Sequence, residues 1–389
     1  MQSFDFYSPT YFCFGKGREN EVGSLAKRFG GSRVLVVYGG QSAVKSGLID
    51  RVTASLQEAG LPFFTIGGVK PNPESDIVYK AIKICKQEKV DLVLGVGGGS
   101  VLDTAKAVAV GALYDGDFWD FYDYGIRRSV TKALPIGAVL TIAATGSEGS
   151  TDSVITRIEG NLKRSISSDL IRPKFSVLNP ELTQTVPLYQ TACGITDILA
   201  HIFERYFTNT PEVELSDRLC EGTALALIEE AGKVMKDPAN YDARANIMWT
   251  STIAHNNILG ADREQDWGSH LIEHELSAMY HCAHGSGLAV VMPAWMKFVM
   301  SHDEKRFAQM AERIWGVEKC SEHEMAVKGI EAYEEFLRSI GMPTRLHELG
   351  GKEEDIPQLA INVGFGPYQF GNFVKLGIPE TEAILRLAL

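Results

Sequence analysis

The run Asp91-Leu92-Val93-Leu94-Gly95-Val96-Gly97-Gly98-Gly99-Ser100-Val101-Leu102-Asp103-Thr104-Ala105-Lys106 passes from an apolar segment, through consecutive glycines, into a helical pattern that continues to Val110. A strand apolar on both faces is one that is covered on both faces, which is the habit of parallel sheets. The same alternation recurs upstream. Val34 to Tyr38 is a β-branched run that stops at Gly39-Gly40, and Leu48, Ile49, Val52, Leu56 and Ala59 then share one helical face. Phe63 to Ile66 is a second strand ended by Gly67-Gly68, and Ser75 opens a helix to about Gln87 after the Pro71-Asn72-Pro73 turn. Downstream, Pro135 to Ile142 is another apolar run. Val154 to Ile158 and Leu162 to Ser167 are spaced as a hairpin through Glu159-Gly160-Asn161, and Phe175 to Leu178 closes the series. Strands alternating with helices predict an α/β domain.

After Pro187 the texture changes. Gln190 to Phe207, Glu212 to Met235, Ala243 to Leu259, Arg306 to Trp315 and Glu322 to Ile340 all carry helical spacing, with Pro and Gly mostly between them. The expected organisation is an N-terminal Rossmann-like α/β domain over 1–185 and an all-helical domain over 186–389. A chain of 389 residues suits two domains.

Composition narrows the function classes. Apolar residues make up 45% and charged residues 22%, as in ordinary globular proteins. The net charge is −11 with no basic run, so nucleic acid is not an expected partner. No stretch approaches the ~18 apolar residues of a membrane span, and Met1 to Phe6 lacks a basic region leading into an apolar one. The six cysteines are scattered without a Cys-x-x-Cys pair, which fits free thiols in a reducing compartment. A cytoplasmic protein is expected.

Gly97-Gly98-Gly99-Ser100, between a buried strand and a helix, stands where backbone N–H groups and the helix dipole form an anion site. The plain alternative is a tight turn, with Asp103 and Lys106 as an exposed ion pair. The first strand ends at Gly39-Gly40-Gln41-Ser42, with Lys45 next and no acid to take adenosine ribose hydroxyls. A hydroxyl with an ammonium suits a 2′-phosphate, so the local chemistry favours NADP(H) over NAD(H).

Six of the nine histidines fall between residues 201 and 284: His201, His255, His270, His274, His281 and His284. Asp197 and His201, at i and i+4, project from one helix face whose flanks Ile198, Leu199, Ile202 and Phe203 are apolar. A buried carboxylate must be paired or bound to a metal. His270 and His274 repeat the spacing. His284 would lie ~21 Å from His270 in one straight helix, so a shared ion requires a turn between them; Gly285 and Gly287 follow closely. Spacing leaves His274, His281 and His284 as open choices. Three imidazoles with one carboxylate suit Fe²⁺ or Zn²⁺ over Ca²⁺ or Mg²⁺, and the absence of cysteine ligands fits a catalytic ion. A rival is the H-x-x-E-H pattern of His270 to His274, a zinc-peptidase signature with Glu273 as base. It leaves the glycine loop and Asp197/His201 unexplained.

Taken in order, Tyr11-Phe12-Cys13-Phe14-Gly15, Pro71-Asn72-Pro73, Gly97 to Lys106, Thr145-Gly146-Ser147-Glu148, Asp197-Ile198-Leu199-Ala200-His201-Ile202-Phe203-Glu204 and His270 to Pro293 span nearly the whole chain. In these segments the sequence resembles the iron-containing (group III) alcohol dehydrogenases, and among them the NADP-linked butanol dehydrogenase branch. The resemblance implies a dehydroquinate synthase-like fold and reversible hydride transfer between NADP(H) and a small alcohol or aldehyde such as butanol or butanal. It implies Asp197, His201, His270 and His284 as ligands of Fe²⁺ or Zn²⁺. His274 becomes a pocket residue near the nicotinamide, read here as a proton relay. Cofactor contacts carry over to Gly39, Ser42, Asn72, Gly98, Gly99, Ser100, Asp103, Thr141, Ser147, Lys163 and Leu182, to which the local argument adds Lys45. A homodimer is implied. Glycerol dehydrogenase-like relatives share the fold but use three protein ligands, so a fourth at His201 argues against a polyol enzyme. His281 and Cys282 lie outside the family pattern.

Overall fold

In the computed structural model, which describes residues 2–126, 128–160, 162–363 and 369–389, the apolar runs of the first half form a parallel sheet. Its strands are β1 (Tyr11–Phe14), β2 (Val34–Tyr38), β3 (Phe63–Ile66), β4 (Leu92–Gly97), β5 (Ile136–Leu140) and β8 (Phe175–Leu178), in the order β1-β8-β5-β4-β2-β3. The antiparallel pair β6 (Asp152–Arg157) and β7 (Leu162–Ser167) makes the predicted hairpin; Asn161 of its turn lies outside the described residues.

Period-two alternation divides the core between the two faces of the sheet. Leu35, Val37 and Val93 pack with Val78, Ala81 and Cys85 of the helix Ser75–Glu88 and with Val101, Ala105 and Val108 of the helix Gly99–Ala112. Val34, Val36, Leu92, Leu94 and Val96 pack with Val22 and Leu25 of Val22–Arg28 and with Leu48, Ile49, Val52 and Leu56 of Leu48–Glu58. From β2 the chain moves outward to β3; from β4 it moves the other way, to β5. Neighbours β2 and β4 therefore flank a topological switch point, the usual crevice for a nucleotide in an open parallel sheet. Tyr38 pairs with Val96, so the Gly39 and Gly97 turns leave the sheet side by side.

The chain divides into two units between Thr185 and Val186. The second is helical among its described residues, with Leu188–Tyr206, Glu214–Lys236, Tyr241–His255, Gly268–Tyr280, His284–Val299, Glu304–Arg313, Glu322–Ser339, Ile356–Val363 and Ile378–Leu387. The segment up to Phe6, expected with the α/β domain, groups instead with the helices. The Gln2 backbone N–H donates to the Asp262 carbonyl at 3.1 Å and its amide to Thr210 Oγ1 at 3.0 Å, while sheet pairing begins only at Tyr11. No helix of the described residues is long and apolar enough to cross a membrane.

Candidate metal centre and nucleotide loops

Three helices of the second unit supply the histidine cluster. Leu188–Tyr206 is buried from Thr191 to its end, so Asp197, His201 and Glu204 share a face with no solvent over it. Gly268–Tyr280 carries His270, Glu273 and His274. That helix stops where His281 takes a left-handed φ of 52°, and the next helix begins at His284. This is the turn that the His270–His284 separation demanded.

Asp197 Oδ1 lies 3.6 Å from His201 Nδ1, 3.7 Å from His270 Nε2 and 3.6 Å from His284 Nε2. A tetrahedral ion with ~2.1 Å bonds sets its ligand atoms ~3.4 Å apart. Asp197 Oδ1, His201 Nδ1 and His270 Nε2 are all buried without a hydrogen-bond partner. Such groups are expensive to leave unpaired, and here they converge on one point. Burial holds His201 well below its ordinary pKa, and its positive neighbours add to this, so its imidazole is in the neutral, ligating form. Burial also opposes charge on His270, but Asp197 and Glu204 outweigh it and raise His270 to about 9. Burial pushes Asp197 upward, yet His284 and His270 keep it ionised below the usual carboxylate value. The nitrogen-and-oxygen donor set fits a borderline divalent cation.

Of the three histidines that spacing left open, the structure brings His284 to Asp197. His274 is half-buried, its ring centroid 5.7 Å from that of His284, and it groups with Glu273 and His284 instead of Asp197. His281 is exposed at the helix end. Glu273 is fully buried, accepting from Ser277 Oγ and facing His284 Nδ1. A peptidase base must face water, so the H-x-x-E-H reading loses its central residue. Sequence reasoning missed Glu204, which contacts His270 Nδ1 at 2.8 Å. Its signal was present: Asp197, His201 and Glu204 stand at i, i+4 and i+7. His255 packs against His201 with the rings tilted by 39° and their centroids 4.2 Å apart.

In the first unit the candidate cofactor residues collect at the carboxyl edge of the sheet. Gly39 ends β2; Gly98, Gly99 and Ser100 follow β4; Thr141 follows β5, its N–H on the Gly97 carbonyl at 3.0 Å; Leu182 lies just past β8, in the turn Pro180–Thr183. Asn72, with φ 51°, is joined to the hairpin because Thr156 N–H donates to the Pro73 carbonyl at 2.8 Å. Lys163, itself buried, is the register partner of Thr156. Ser42 and Lys45 are exposed on the short helix Ser42–Lys45.

The glycines have a packing reason of their own. A Cβ on Gly98 would sit 2.3 Å from Ile142, and one on Gly99 2.5 Å from Thr145. What favours an anion here is therefore the helix N-terminus, which has no side-chain cap. The exposed Asp103–Lys106 pair is corrected. Lys106 is fully buried, its Nζ donating to Ser147 Oγ at 2.9 Å, to Ser150 O and Oγ at 3.2 Å and to Asp152 O at 2.7 Å. Ser147 Oγ donates in turn to Asp103 Oδ1 at 2.8 Å, and Val154 N–H donates to Asp103 Oδ2 at 3.1 Å. Burial, partly offset by Lys106, raises Asp103 to about 6; the same burial lowers Lys106 to about 8.

Comparison with known proteins adds an independent line. A family model described as iron-containing alcohol dehydrogenase matches residues 9–180, and the C-terminal model of the same family matches 191–389. NADH-dependent butanol dehydrogenase A of Clostridium acetobutylicum is 42% identical over 91% of both chains. The NADPH-dependent aldehyde reductase YqhD of Escherichia coli is 38% identical over 92% of both. The crystal structure of an NADH-dependent butanol dehydrogenase A from Thermotoga maritima superposes with a TM-score of 0.96 at 40% identity, covering 100% of this chain and 99% of that one.

Proposed function

The chain belongs to the iron-containing alcohol dehydrogenase family and is an NAD(P)-dependent alcohol dehydrogenase, and on that premise we propose that it interconverts small primary alcohols and aldehydes, such as butanol and butanal, using NADP(H). The convergence of Asp197 with His201, His270 and His284 carries this reading. These residues would hold the ion, Fe²⁺ or in its place Zn²⁺, which supplies Lewis-acid polarisation of a carbonyl.

The remaining work falls to the chain itself. The uncapped N-terminus of Gly99–Ala112 offers N–H groups and a positive dipole end to a pyrophosphate. Asp103, Ser147 and Lys106 fix the 145–154 loop against that helix. Ser42 and Lys45, in a stretch with no carboxylate, bind the 2′-phosphate, which is the ground for choosing NADP(H) although both cofactor types occur among the relatives. His274 passes the proton between the substrate oxygen and solvent. The six free cysteines support a reducing compartment, and a cytoplasmic homodimer completes the proposal; light scattering on the purified chain tests the dimer.

The deciding experiment is initial-rate butanal reduction with NADPH and NADH in parallel, on chelator-stripped protein reloaded anaerobically with Fe²⁺ or Zn²⁺. Metal-dependent turnover favouring NADPH is expected. A preference for NADH overturns the Ser42/Lys45 assignment and leaves the enzyme class intact. Absence of turnover across a series of small aldehydes overturns the substrate reading. For His274, His274→Phe should lower the rate at unchanged metal content; an unchanged rate and pH profile would remove it from the mechanism.

A further inference from the structure

The histidines of the cluster differ in what stands behind them. Glu204 is fully buried and receives four donors: Trp267 N–H at 2.8 Å on Oε2, and Ser269 Oγ at 2.5 Å, His270 N–H at 3.2 Å and His270 Nδ1 at 2.8 Å on Oε1. Two of these donors are backbone groups at the start of Gly268–Tyr280, whose N-cap Trp267 has φ 118° and no side-chain cap of its own. One carboxylate, carried on the Asp197 helix, thus caps the His270 helix and grips the His270 ring. A side chain serving only as a helix cap has no need to contact the imidazole.

We infer that Glu204 is a positioning residue. By accepting the Nδ1 proton of His270 it selects the tautomer whose Nε2 lone pair faces Asp197, and it sets the distance between the two ligand-bearing helices. Glu273 stands in the same relation to His284 through Nδ1, with Ser277 holding its other oxygen. Carboxylates behind imidazole ligands fix ring orientation and raise ligand basicity, and losing one costs ~10–100-fold in metal affinity. Replacing Glu204 with the isosteric amide keeps the volume. It also directs an NH₂ group at donors already committed, so at least one of the four loses its acceptor.

The inference rests on Asp197, His201, His270 and His284 being the ligands, and its test separates the two ideas. Zn²⁺ and Co²⁺ dissociation constants are measured by chelator competition on native protein and on Glu204→Gln, with the visible spectrum of the Co²⁺ form as a second readout. The expected result is tight binding by the native chain, a loss of ~10–100-fold in Glu204→Gln and a changed Co²⁺ spectrum, with NADPH binding unmoved. Native protein that fails to bind either ion refutes the ligand set. Native binding with a Glu204→Gln constant within threefold and an identical spectrum refutes the inference alone. If Glu204→Gln does not fold, Glu273→Gln applies the same criterion to His284.

Discussion

Replacing Gly285 by alanine tests how closely the two helices that carry Asp197 and His284 must approach. Gly285 is the second residue of His284–Val299 and crosses Leu188–Tyr206 backbone to backbone. A Cβ there would lie 2.0 Å from the Cys193 carbonyl oxygen, 2.5 Å from its carbon and 2.7 Å from its Cα. A carbon–oxygen contact needs ~3.3 Å, so the helices must part by roughly 1.3 Å, and backbone cannot swing aside as a side chain can. Metal sites tolerate ~0.2 Å in ligand position, so His284, one residue before the clash, is carried out of reach of Asp197 while His201 and His270 stay. Overpacking of this kind costs ~1–3 kcal/mol, or about 3 °C in apparent Tm for each kcal/mol in a unit of this size. Gly232→Ala is the matched control: it is also within a helix, Glu214–Lys236, and a Cβ there meets nothing within 4 Å. It should gain ~0.4–1 kcal/mol, because alanine restricts the unfolded chain. The assay is differential scanning fluorimetry with metal content by mass spectrometry after dialysis against a mild chelator. Gly285→Ala retaining metal with an unchanged Tm would falsify the idea that backbone contact at this crossing sets the position of His284.

Other perturbations follow from the same geometry. Lys106→Met leaves buried acceptors at Ser147, Ser150 and Asp152 without their donor; a loss of ~1–3 kcal/mol should appear in the urea midpoint, and an unmoved midpoint contradicts it. Lys45→Ala should raise KM for NADPH about fivefold, the worth of an exposed ionic contact of ~1 kcal/mol, and leave KM for NADH alone; equal effects on both would show that Lys45 does not touch the 2′-phosphate. Burial, with Glu204 nearby, raises Asp266 to about 6 from 3.8, against the N–H donors of Phe373, Asn372 and Gly268. The folded state therefore holds a proton that the unfolded state has released, and this contribution is fully present below about pH 4 and lost as pH rises through 6. Asp266→Asn should flatten urea stability between pH 4 and 6; a native slope retained in the variant excludes Asp266 as its source.

The α/β half was legible from Val34 onward, though not at the edge strand Tyr11–Phe14 or the helix Val22–Arg28, because most of its signals are local. Apolar runs of four to six residues ending at glycine announce buried parallel strands, and the hairpin follows from a turn flanked by strand-like runs. Legibility failed where order depends on distant partners. The helices Gly268–Tyr280 and His284–Val299 are broken only by His281 to Ala283, a punctuation too faint to fix a boundary. Asp197 and His201 were identifiable as a pair because one helix turn sets their separation whatever the rest of the chain does. Glu204 belonged to the same periodicity, but its purpose appears only when Trp267 to His270, more than sixty residues later, arrive at its oxygens.

Sequence alone thus determined element types, the parallel sheet, the chemistry of the donor set and the family, because composition, period and motif order are properties of the chain read along its length. Tertiary structure decided which of His274, His281 and His284 meets Asp197, excluded the exposed-pair alternative for Lys106 by burying it as a clamp, and gave Glu204 and Glu273 their places behind the histidines. The physical reason is that burial and convergence are relations between segments. A side chain's charge, partner and reach are set by whatever else is packed within a few ångströms of it, and spacing along the chain does not encode that.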